Sequence, residues 1–354
     1  MRLNNESYRE LLLKVKKSII VYGVSIIISF AVISVIIGLL GFNVPRALRT
    51  LVTTSFKSSF GFEETIKKTI PLIFTTYAFA IPFMIKFFNI GGWGQMLFGG
   101  TTATVVGLSL AGVGLPGIIM IPLLLLSGIV GGAFFGFVPG FLKARYDINP
   151  IISTIMFNFV AYLLVNFVCT THPFTAPLEG HPMTNPLPDS GLLPPIWGGI
   201  PSSIIFALLA ILVMYVLMKK TRLGYEITAV GYNLSAAQTY GINFSKTIMI
   251  TFLLGGALAG LGGALEVMAI QGKLIEGFAK TSGAQYGVFG ILTCLVSGGN
   301  PLGIPVAAFF MSVLLVGADS LQRTMQLPVE MVFIMQAVIV LILVVIRKKM
   351  EEGR

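Results

Sequence analysis

Long apolar runs without charged residues recur along the chain, and their lengths predict membrane-spanning helices. About 20 consecutive apolar residues cross the hydrocarbon core of a bilayer as one helix. Single spans are predicted within 18–45, 69–88, 148–178, 201–218, 247–270 and 327–346. Two spans each are expected in the charge-free stretch 87–142 and in 281–318, which Gly298-Gly299-Asn300-Pro301 divides into shorter pieces. The pattern predicts about ten spans, within a range of about 8 to 10, and an all-α fold: a polytopic integral membrane helical bundle.

The distribution of basic residues predicts how this bundle is oriented. An even number of spans places both termini on one side, and Lys and Arg concentrate in cytoplasmic loops. Sixteen of the 24 basic residues fall on the side of the termini, so both termini are predicted to be cytoplasmic. The sixteen are Arg2, Arg9, Lys14, Lys16, Lys17, Lys86, Lys143, Arg145, Lys219, Lys220, Arg222, Lys246, Arg347, Lys348, Lys349 and Arg354. The loop 171–200 has neither Lys nor Arg and is predicted to lie on the opposite, periplasmic or extracellular side.

One loop, residues 42–68, conflicts with this orientation because it is basic although the span count places it outside. Its basic residues are Arg46, Arg49, Lys57, Lys67 and Lys68. Glu63 and Glu64 offset part of that charge. An amphipathic segment lying along the membrane surface would accommodate the rest.

The composition excludes whole classes of protein. Charged residues make up 11% of the chain and hydrophobic residues 55%, whereas a soluble globular domain has about 25% charged residues. So few charges cannot cover a soluble surface at this length, which excludes a soluble enzyme, a disordered tail and a nucleic-acid binder. The predicted organisation is a cytoplasmic segment at 1–17, one transmembrane domain at 18–346 with an outer loop at 171–200 and a cytoplasmic loop at 219–246, and a cytoplasmic tail at 347–354.

The chain carries no recognisable catalytic or metal-binding group. Cys169 and Cys294 lie in apolar runs and are interpreted as small buried hydrophobic residues. His172 and His181 both fall in one Pro-rich loop. We therefore predict no catalytic residue, no metal and no cofactor. The spans also lack a series of titratable groups, which argues against a proton-driven carrier and against a strongly charged substrate.

Glycines are frequent in the predicted spans and recur at helical spacing. The chain has 40 glycines, including Gly128, Gly132 and Gly136 in one run and Gly256 and Gly260 in another. Small residues at this spacing let membrane helices approach closely. The plain interpretation is tight helix packing, and a tight bundle of this size also favours an enclosed pathway.

Polar residues inside apolar stretches mark a candidate substrate pathway. Residues 88–100 combine five glycines with Asn89, Trp93 and Gln95, which favours a broken helix of the kind that forms transporter sites. Asn158 and Gln285 are the further candidates in other spans. The alternatives are an interfacial turn with Trp93 in the aromatic belt and, for Asn158, a hydrogen bond that only joins neighbouring helices.

The cytoplasmic segment 219–246 predicts a short helix with a docking role. Asn233 is a good N-cap and Gly241 a good C-terminal stop, with Ile242 available for the flanking apolar contact. The helix of about seven residues between them is too short to be stable alone in water. It is therefore expected to dock into a groove of a partner, the alternative being a solvated loop.

The chain has no phosphate-binding loop, because Gly272-Lys273 is followed by Leu274 and lacks the preceding glycine. ATP hydrolysis, if it is used, must therefore come from another subunit.

Several segments together resemble the permease subunits of bacterial ABC importers for simple sugars and nucleosides, which are related to the ribose and branched-chain amino acid permeases. The matching segments are Phe88–Gly100, Asn149–Tyr162, Arg222–Asn243 and Tyr286–Pro305. The resemblance implies that Arg222–Gly241 couples the permease to its ATPase. The residues concerned are Arg222, Gly224, Tyr225, Glu226, Gly231, Asn233, Ala236, Ala237 and Gly241. In that family an acidic residue is common where this chain has Trp93, so the role of that acid does not carry over.

The expected function is that of a permease subunit, not an enzyme, in a multi-pass bacterial cell membrane protein. It would translocate a neutral polar solute, nucleosides or simple sugars first, by alternating access powered by separate ATPase subunits. The expected partners are two ATP-binding subunits, a second permease subunit (identical or different) and an extracytoplasmic solute-binding protein or lipoprotein. The alternatives are a permease of the branched-chain amino acid type, or a self-sufficient secondary carrier or channel.

Overall fold

The chain folds mostly into helices in a computed structural model that describes residues 41–176, 180–279 and 283–326, with parts of 28–39 and 331–345. It divides into two compact units, one formed by residues 1–62 and 313–354 and the other by residues 63–312. The helices are α1 Val44–Lys57, α2 Ser59–Met84, α3 Gly92–Ser109, α4 Gly117–Tyr146, α5 Pro150–Thr170, α6 Ser203–Lys220, α7 Arg222–Tyr232, α8 Leu234–Thr239, α9 Phe244–Glu266, α10 Gly283–Ser297 and α11 Gly303–Met325.

Six helices within the described residues are long and apolar enough to cross a membrane. They are α3 with the turn that follows it, α4, α5, α6, α9 with the turn that follows it, and α11. The stretch 87–142 therefore contains the two predicted spans, and α10 is a shorter apolar helix of 15 residues. The predicted spans at 18–45 and 327–346 lie largely outside the described residues, so the total of about ten stays a prediction.

Residues 42–68 are helical instead of the loop predicted there. Asn43 caps α1 by accepting a hydrogen bond from the backbone N–H of Arg46 at 3.0 Å, and a proline follows in the first turn, where its missing N–H costs nothing. Ala47, Leu51 and Ser55 are buried at four-residue spacing, and the basic residues Arg46, Arg49 and Lys57 are exposed. The segment is thus amphipathic, as the alternative interpretation of this stretch required.

Within the first unit, the buried face of α1 packs against α11. The hydroxyl of Ser55 donates to the carbonyl oxygen of Val313 at 3.5 Å. A Cβ atom at Gly317 would lie 2.8 Å from the Cα atom of Leu51. The two helices therefore meet at a small residue on α11, as membrane helices commonly do.

Within the second unit, α4 and α9 meet along a seam of glycines. A Cβ atom at Gly260 would lie 2.7 Å from the Cα atom of Gly132, and one at Gly136 would lie 2.9 Å from the Cα atom of Gly256. Real Cβ atoms do not approach this closely, so the two backbones touch with no side chain between them. The predicted close packing at these glycines is confirmed.

Helix α3 joins the same seam from a third side. A Cβ atom at Gly263 of α9 would lie 2.8 Å from the carbonyl carbon of Met96 and 2.9 Å from the backbone nitrogen of Gly100. The centre of the second unit is therefore a three-helix core of α3, α4 and α9.

The two ends of the second unit differ in character. At one end, here called the basic end, the ammonium of Lys143 lies 5.2 Å from the ring centre of Phe87, and that ring lies 6.1 Å from the ring of Phe244. At the other end, here called the loop end, Leu187 and Leu193 donate backbone hydrogen bonds to the carbonyls of Gly272 and Met268, each at 2.9 Å. The long loop also forms the small antiparallel pair β1 Pro195–Trp197 and β2 Ile200–Pro201, an element that the all-α prediction did not include.

Candidate functional site

The segment formed by α7 and α8 is attached to the basic end of the bundle by one face. Thr221 caps α7 by accepting a hydrogen bond from the N–H of Gly224 at 3.3 Å, and Ile227 and Val230 are buried. At Gly224 a Cβ atom would lie 2.6 Å from the Cα atom of Met218. At Gly231 it would collide with the carbonyl group of Met84, the last residue of α2. Both glycines therefore allow α7 to lie against the backbone of the bundle.

The short helix α8 is present with the predicted caps. The side chain of Asn233 accepts a hydrogen bond from the N–H of Ala236 at 3.1 Å. The helix ends at Thr239, and Gly241 takes the left-handed conformation with φ of 80° that favours glycine. The N–H of Ile242 then donates to the carbonyl of Ala237 at 3.1 Å. The local structure of this segment was therefore predictable from its capping residues.

The predicted coupling residues divide into an attached set and an exposed set. Gly224 and Ala237 are buried and Gly231 is half-buried, so these three hold the segment on the bundle. Glu226 is half-buried and accepts a hydrogen bond from Arg222 Nε at 2.8 Å. The exposed members are Arg222, Tyr225, Asn233, Ala236 and Gly241. Only the exposed set is available to a partner.

Sequence reasoning missed two exposed tyrosines next to this set. Tyr232 is 84% exposed and Tyr240 is 88% exposed, one on each side of α8. Tyrosine is enriched in the central contacts of protein interfaces, because it offers a large rigid ring and a polar tip. That enrichment is the signal that the sequence carries at these two positions.

Asn89 and Gln95 pair with each other at the turn before α3. Asn89 Nδ2 donates to Gln95 Oε1, and Gln95 Nε2 donates back to Asn89 Oδ1, both at 3.1 Å. Asn89 also donates to the carbonyl of Ala78 at 3.0 Å and accepts from the N–H of Gly91 at 3.1 Å. Both side chains are buried. In this conformation their hydrogen-bonding groups therefore hold the turn together.

Asn158 joins α5 to the same turn. Its Oδ1 accepts from the N–H of Gly94 at 2.8 Å, and its Nδ2 donates to the carbonyl of Ile90 at 3.0 Å. A Cβ atom at Gly94 would lie 2.7 Å from Asn158 Oδ1, so only glycine allows this approach. The structure thus brings Asn89, Gln95 and Asn158 together around one backbone turn.

Replacing Asn158 by leucine is expected to destabilise the protein, because the buried N–H of Gly94 and the partly buried carbonyl of Ile90 lose their partners. An unsatisfied buried group costs about 1–3 kcal/mol, so we expect a loss of at least that size in the free energy of unfolding. Thermal unfolding in detergent measures it. Asn166→Leu is the matched control on the same helix, where the side chain is half-buried. Equal stability of the two variants would contradict a structural role for Asn158.

Trp93 contacts the helix that carries Gln285. Trp93 packs on α10, where a Cβ atom at Gly287 would lie 2.6 Å from Trp93 Cβ. Gln285 is half-buried and lies two residues before Gly287 on α10. The indole N–H of Trp93 is buried and has no hydrogen-bond partner among the described residues. A buried indole N–H usually finds an acceptor, so Trp93 is an exception among the described residues.

Comparison with known proteins gives a match over most of the chain. Residues 61–345 match the family described as branched-chain amino acid transport system / permease component. The glucose ABC transporter permease protein TsgB13 of Haloferax volcanii is 32% identical over 342 residues, covering 91% of this chain and 87% of the relative. The guanosine ABC transporter permease protein NupP of Bacillus subtilis is 32% identical over 327 residues, covering 90% of each chain.

A third relative extends the similarity to another nucleoside transporter. The nucleoside ABC transporter permease protein NupB of Lactococcus lactis subsp. cremoris is 29% identical over 345 residues, covering 93% of this chain and 91% of the relative. No solved structure matches the chain significantly.

Proposed function

Because the chain belongs to the branched-chain amino acid transport system / permease component family, we propose that it moves a sugar or nucleoside across the membrane for an ABC importer. It is a multi-pass membrane protein and a transport subunit, not a catalytic enzyme. In the proposed assembly, ATP is hydrolysed by separate subunits. This proposal keeps the main function expected from the sequence.

The proposed solute is neutral, polar and built on a sugar ring. The family description refers to branched-chain amino acids, but the relatives covered over most of their length are described as permeases for glucose, guanosine and nucleosides. Guanosine and the other nucleosides contain a ribose-type ring, so a sugar ring is common to all of these solutes. The scarcity of charge in the spans favours such a solute over an ion.

The observation that supports ATPase coupling is the two-sided character of the α7–α8 segment. Gly224, Gly231 and Ala237 attach it to the bundle, while Ala236 and the neighbouring tyrosines stay exposed. An element held by one face and exposed on the other can bind a partner and pass its movement to the bundle. We assign the exposed face to an ATPase subunit and the basic end to the cytoplasm, in keeping with the basic residues there.

The proposed mechanism is alternating access within a larger assembly. Two ATPase subunits bind at the basic end, a second permease subunit (identical or different) lies alongside, and a solute-binding protein or lipoprotein docks at the loop end. ATP-driven closure of the ATPases moves the α7–α8 segment, and the bundle opens to the other side. The proposed location is the bacterial cell membrane.

The proposed pathway uses the residues around the turn before α3. Trp93 offers an indole N–H without a partner among the described residues, and Gln285 lies nearby on α10. Asn89, Gln95 and Asn158 contribute by fixing the turn that presents Trp93. An aromatic ring with a free donor suits a solute that combines an apolar ring face with hydroxyl groups.

The test is uptake by vesicles that contain the permease with its ATPase subunits and binding protein. We expect uptake of radiolabelled guanosine or glucose that requires ATP, the ATPase subunits and the binding protein together. Vesicles containing the permease alone are the control. Uptake by the permease alone under an ion gradient would identify a secondary carrier, and failure of the binding protein to stimulate ATP hydrolysis would identify a channel or scaffold.

A further inference from the structure

A buried carboxylate, Glu266, lies at the loop end of the second unit and is only partly satisfied. It is the last residue of α9 and is 4% exposed. Its Oε1 accepts a hydrogen bond from Gln271 Nε2 at 3.3 Å. Its Oε2 is buried and has no hydrogen-bond partner within the part of the chain that the structure describes. One oxygen atom of this enclosed side chain therefore lacks a hydrogen-bond partner among the described residues.

Burying such a group lowers the stability of the fold, which indicates that the side chain has a function. An acidic side chain within a membrane span is rare and normally pairs or faces a polar cavity. A buried polar atom without a partner destabilises the fold. Packing alone would be served better by an apolar residue at this position.

Charges of both signs on α2 act at Glu266. Glu64 and Lys68 contribute electrostatically there, and on the same helix Lys67 and Glu64 form an ion pair of 2.8 Å. Two of the five basic residues of the 42–68 stretch, Lys67 and Lys68, therefore belong to a mixed cluster of charges on α2.

The backbone next to Glu266 is also irregular. The helix continues as a π-helical turn at Val267–Gln271 and ends at Gly272, whose φ is 69°. Turns of this kind occur frequently at functional sites, because they widen the helix and redirect side chains. The long loop contacts the carbonyls of Met268 and Gly272 just beyond it. Glu266 therefore lies next to the turn that the loop contacts, at the loop end of the second unit.

We propose that Glu266 is a solute-binding residue at the loop end, where Oε2 accepts hydrogen bonds from hydroxyl groups of the sugar ring. A carboxyl oxygen that carries no proton accepts hydrogen bonds, and adjacent ring hydroxyls are donors on an uncharged molecule. Gln271 orients the carboxylate through Oε1 and leaves Oε2 for the solute. The proposal rests on the proposed transport of a sugar or nucleoside and adds the group that recognises its hydroxyls.

The first test compares solutes that differ in hydroxyl groups, using the complete transporter in vesicles. The pairs are guanosine with 2′,3′-dideoxyguanosine and glucose with 2-deoxyglucose. Glu266→Ala is expected to lower uptake of the fully hydroxylated solute by about tenfold to 100-fold, the range for a hydrogen bond to a charged group. Uptake of the deoxy analogue should change little, and the isosteric Glu266→Gln should give an intermediate result. Each variant is compared with the unsubstituted permease for the same solute and the same binding protein, so the selectivity of the binding protein cancels.

The control for this test removes a carboxylate elsewhere. The control variant is Asp147→Asn. Asp147 lies at the basic end with a side chain that is 88% exposed, and asparagine tolerates its left-handed backbone conformation. This control should leave uptake of both solutes unchanged. If Glu266→Ala and Glu266→Gln reduce both solutes by the same factor, the carboxylate has only a structural role and the proposal is overturned. Unchanged uptake of both solutes overturns it as well.

The second test measures access to the position directly. In Glu266→Cys, a small charged thiol reagent added on the loop side should react, and guanosine or glucose should slow the reaction. Cys169 and Cys294 are both buried, so the unsubstituted protein provides the background rate. Absence of labelling, or labelling that the solute does not slow, contradicts the proposal. A transporter that moves neither solute before any substitution contradicts the proposed function itself, which separates the two failures.

Discussion

Replacing Ala236 by glutamate is expected to abolish co-purification of the ATPase subunits while the bundle stays folded. Ala236 is exposed on α8 and its side chain makes no part of the attachment to the bundle. A charge placed in the centre of a docked interface loses its hydration without gaining a partner. We expect a cost of about 3 kcal/mol or more, which weakens binding by more than about 100-fold. Affinity purification of the assembled complex measures this loss, and ATP-dependent uptake should be lost with it.

Two matched substitutions make this result interpretable. Ala111→Glu introduces the same charge at an exposed alanine in the turn after α3, away from α8, and should leave the complex intact. Ala237→Glu introduces it at a residue that is 4% exposed, so it should also disturb the packing of α8. Retention of the ATPase by the Ala236→Glu protein would contradict the assignment of α8 as the coupling helix.

Replacing Gly260 by valine is expected to destabilise the bundle severely. The new Cβ atom would lie 2.7 Å from the Cα atom of Gly132 and closer still to the carbonyl oxygen of Gly128. Overpacking costs about 1–3 kcal/mol where side chains can shift. Here the neighbours are backbone atoms of α4, which cannot change rotamer, so we expect a loss above about 3 kcal/mol in the free energy of unfolding. Thermal unfolding in detergent and the fraction recovered as a monodisperse species measure it.

Gly112→Val is the control for this prediction. A Cβ atom at Gly112 would meet nothing within 4 Å, so the same change in residue type should leave the unfolding temperature nearly unchanged. A Gly260→Val protein as stable as this control would mean that α4 and α9 are not held together by backbone contact.

Local signals in the sequence predicted local structure well. Asn233 and Gly241 define the start and the end of α8 because capping depends on residues within one turn of each other. The apolar runs likewise located α4, α5, α6 and α9, since span length is a property of the run itself. In the 42–68 stretch the conflict between charge and orientation suggested an amphipathic segment as an alternative, although the prediction did not extend to a helix that begins at Val44.

Contacts between distant segments could not be predicted in the same way. The sequence marked Asn89, Gln95 and Asn158 as polar residues in apolar surroundings, but the contact of Asn158 with the other two residues' turn depends on how α5 crosses it. The glycine spacings predicted close packing, yet nothing in them identified α9 as the partner of α4. The lack of a hydrogen-bond partner at Glu266 Oε2 could not be predicted either. The position of this atom depends on the π-helical turn that follows, and the residues of that turn carry no signal for it.

Helix α9 links the two proposed sites mechanically. Asn243, its N-cap, follows α8 after a three-residue connection, and Glu266 is its last residue. At 1.5 Å per residue the helix is about 34 Å long, and its glycine seam with α4 contains no side chains that could absorb a displacement by changing rotamer. In the proposed assembly, a tilt imposed at the α8 end would therefore be carried along α9 as along a stiff rod and would change the geometry of the carboxylate at its other end.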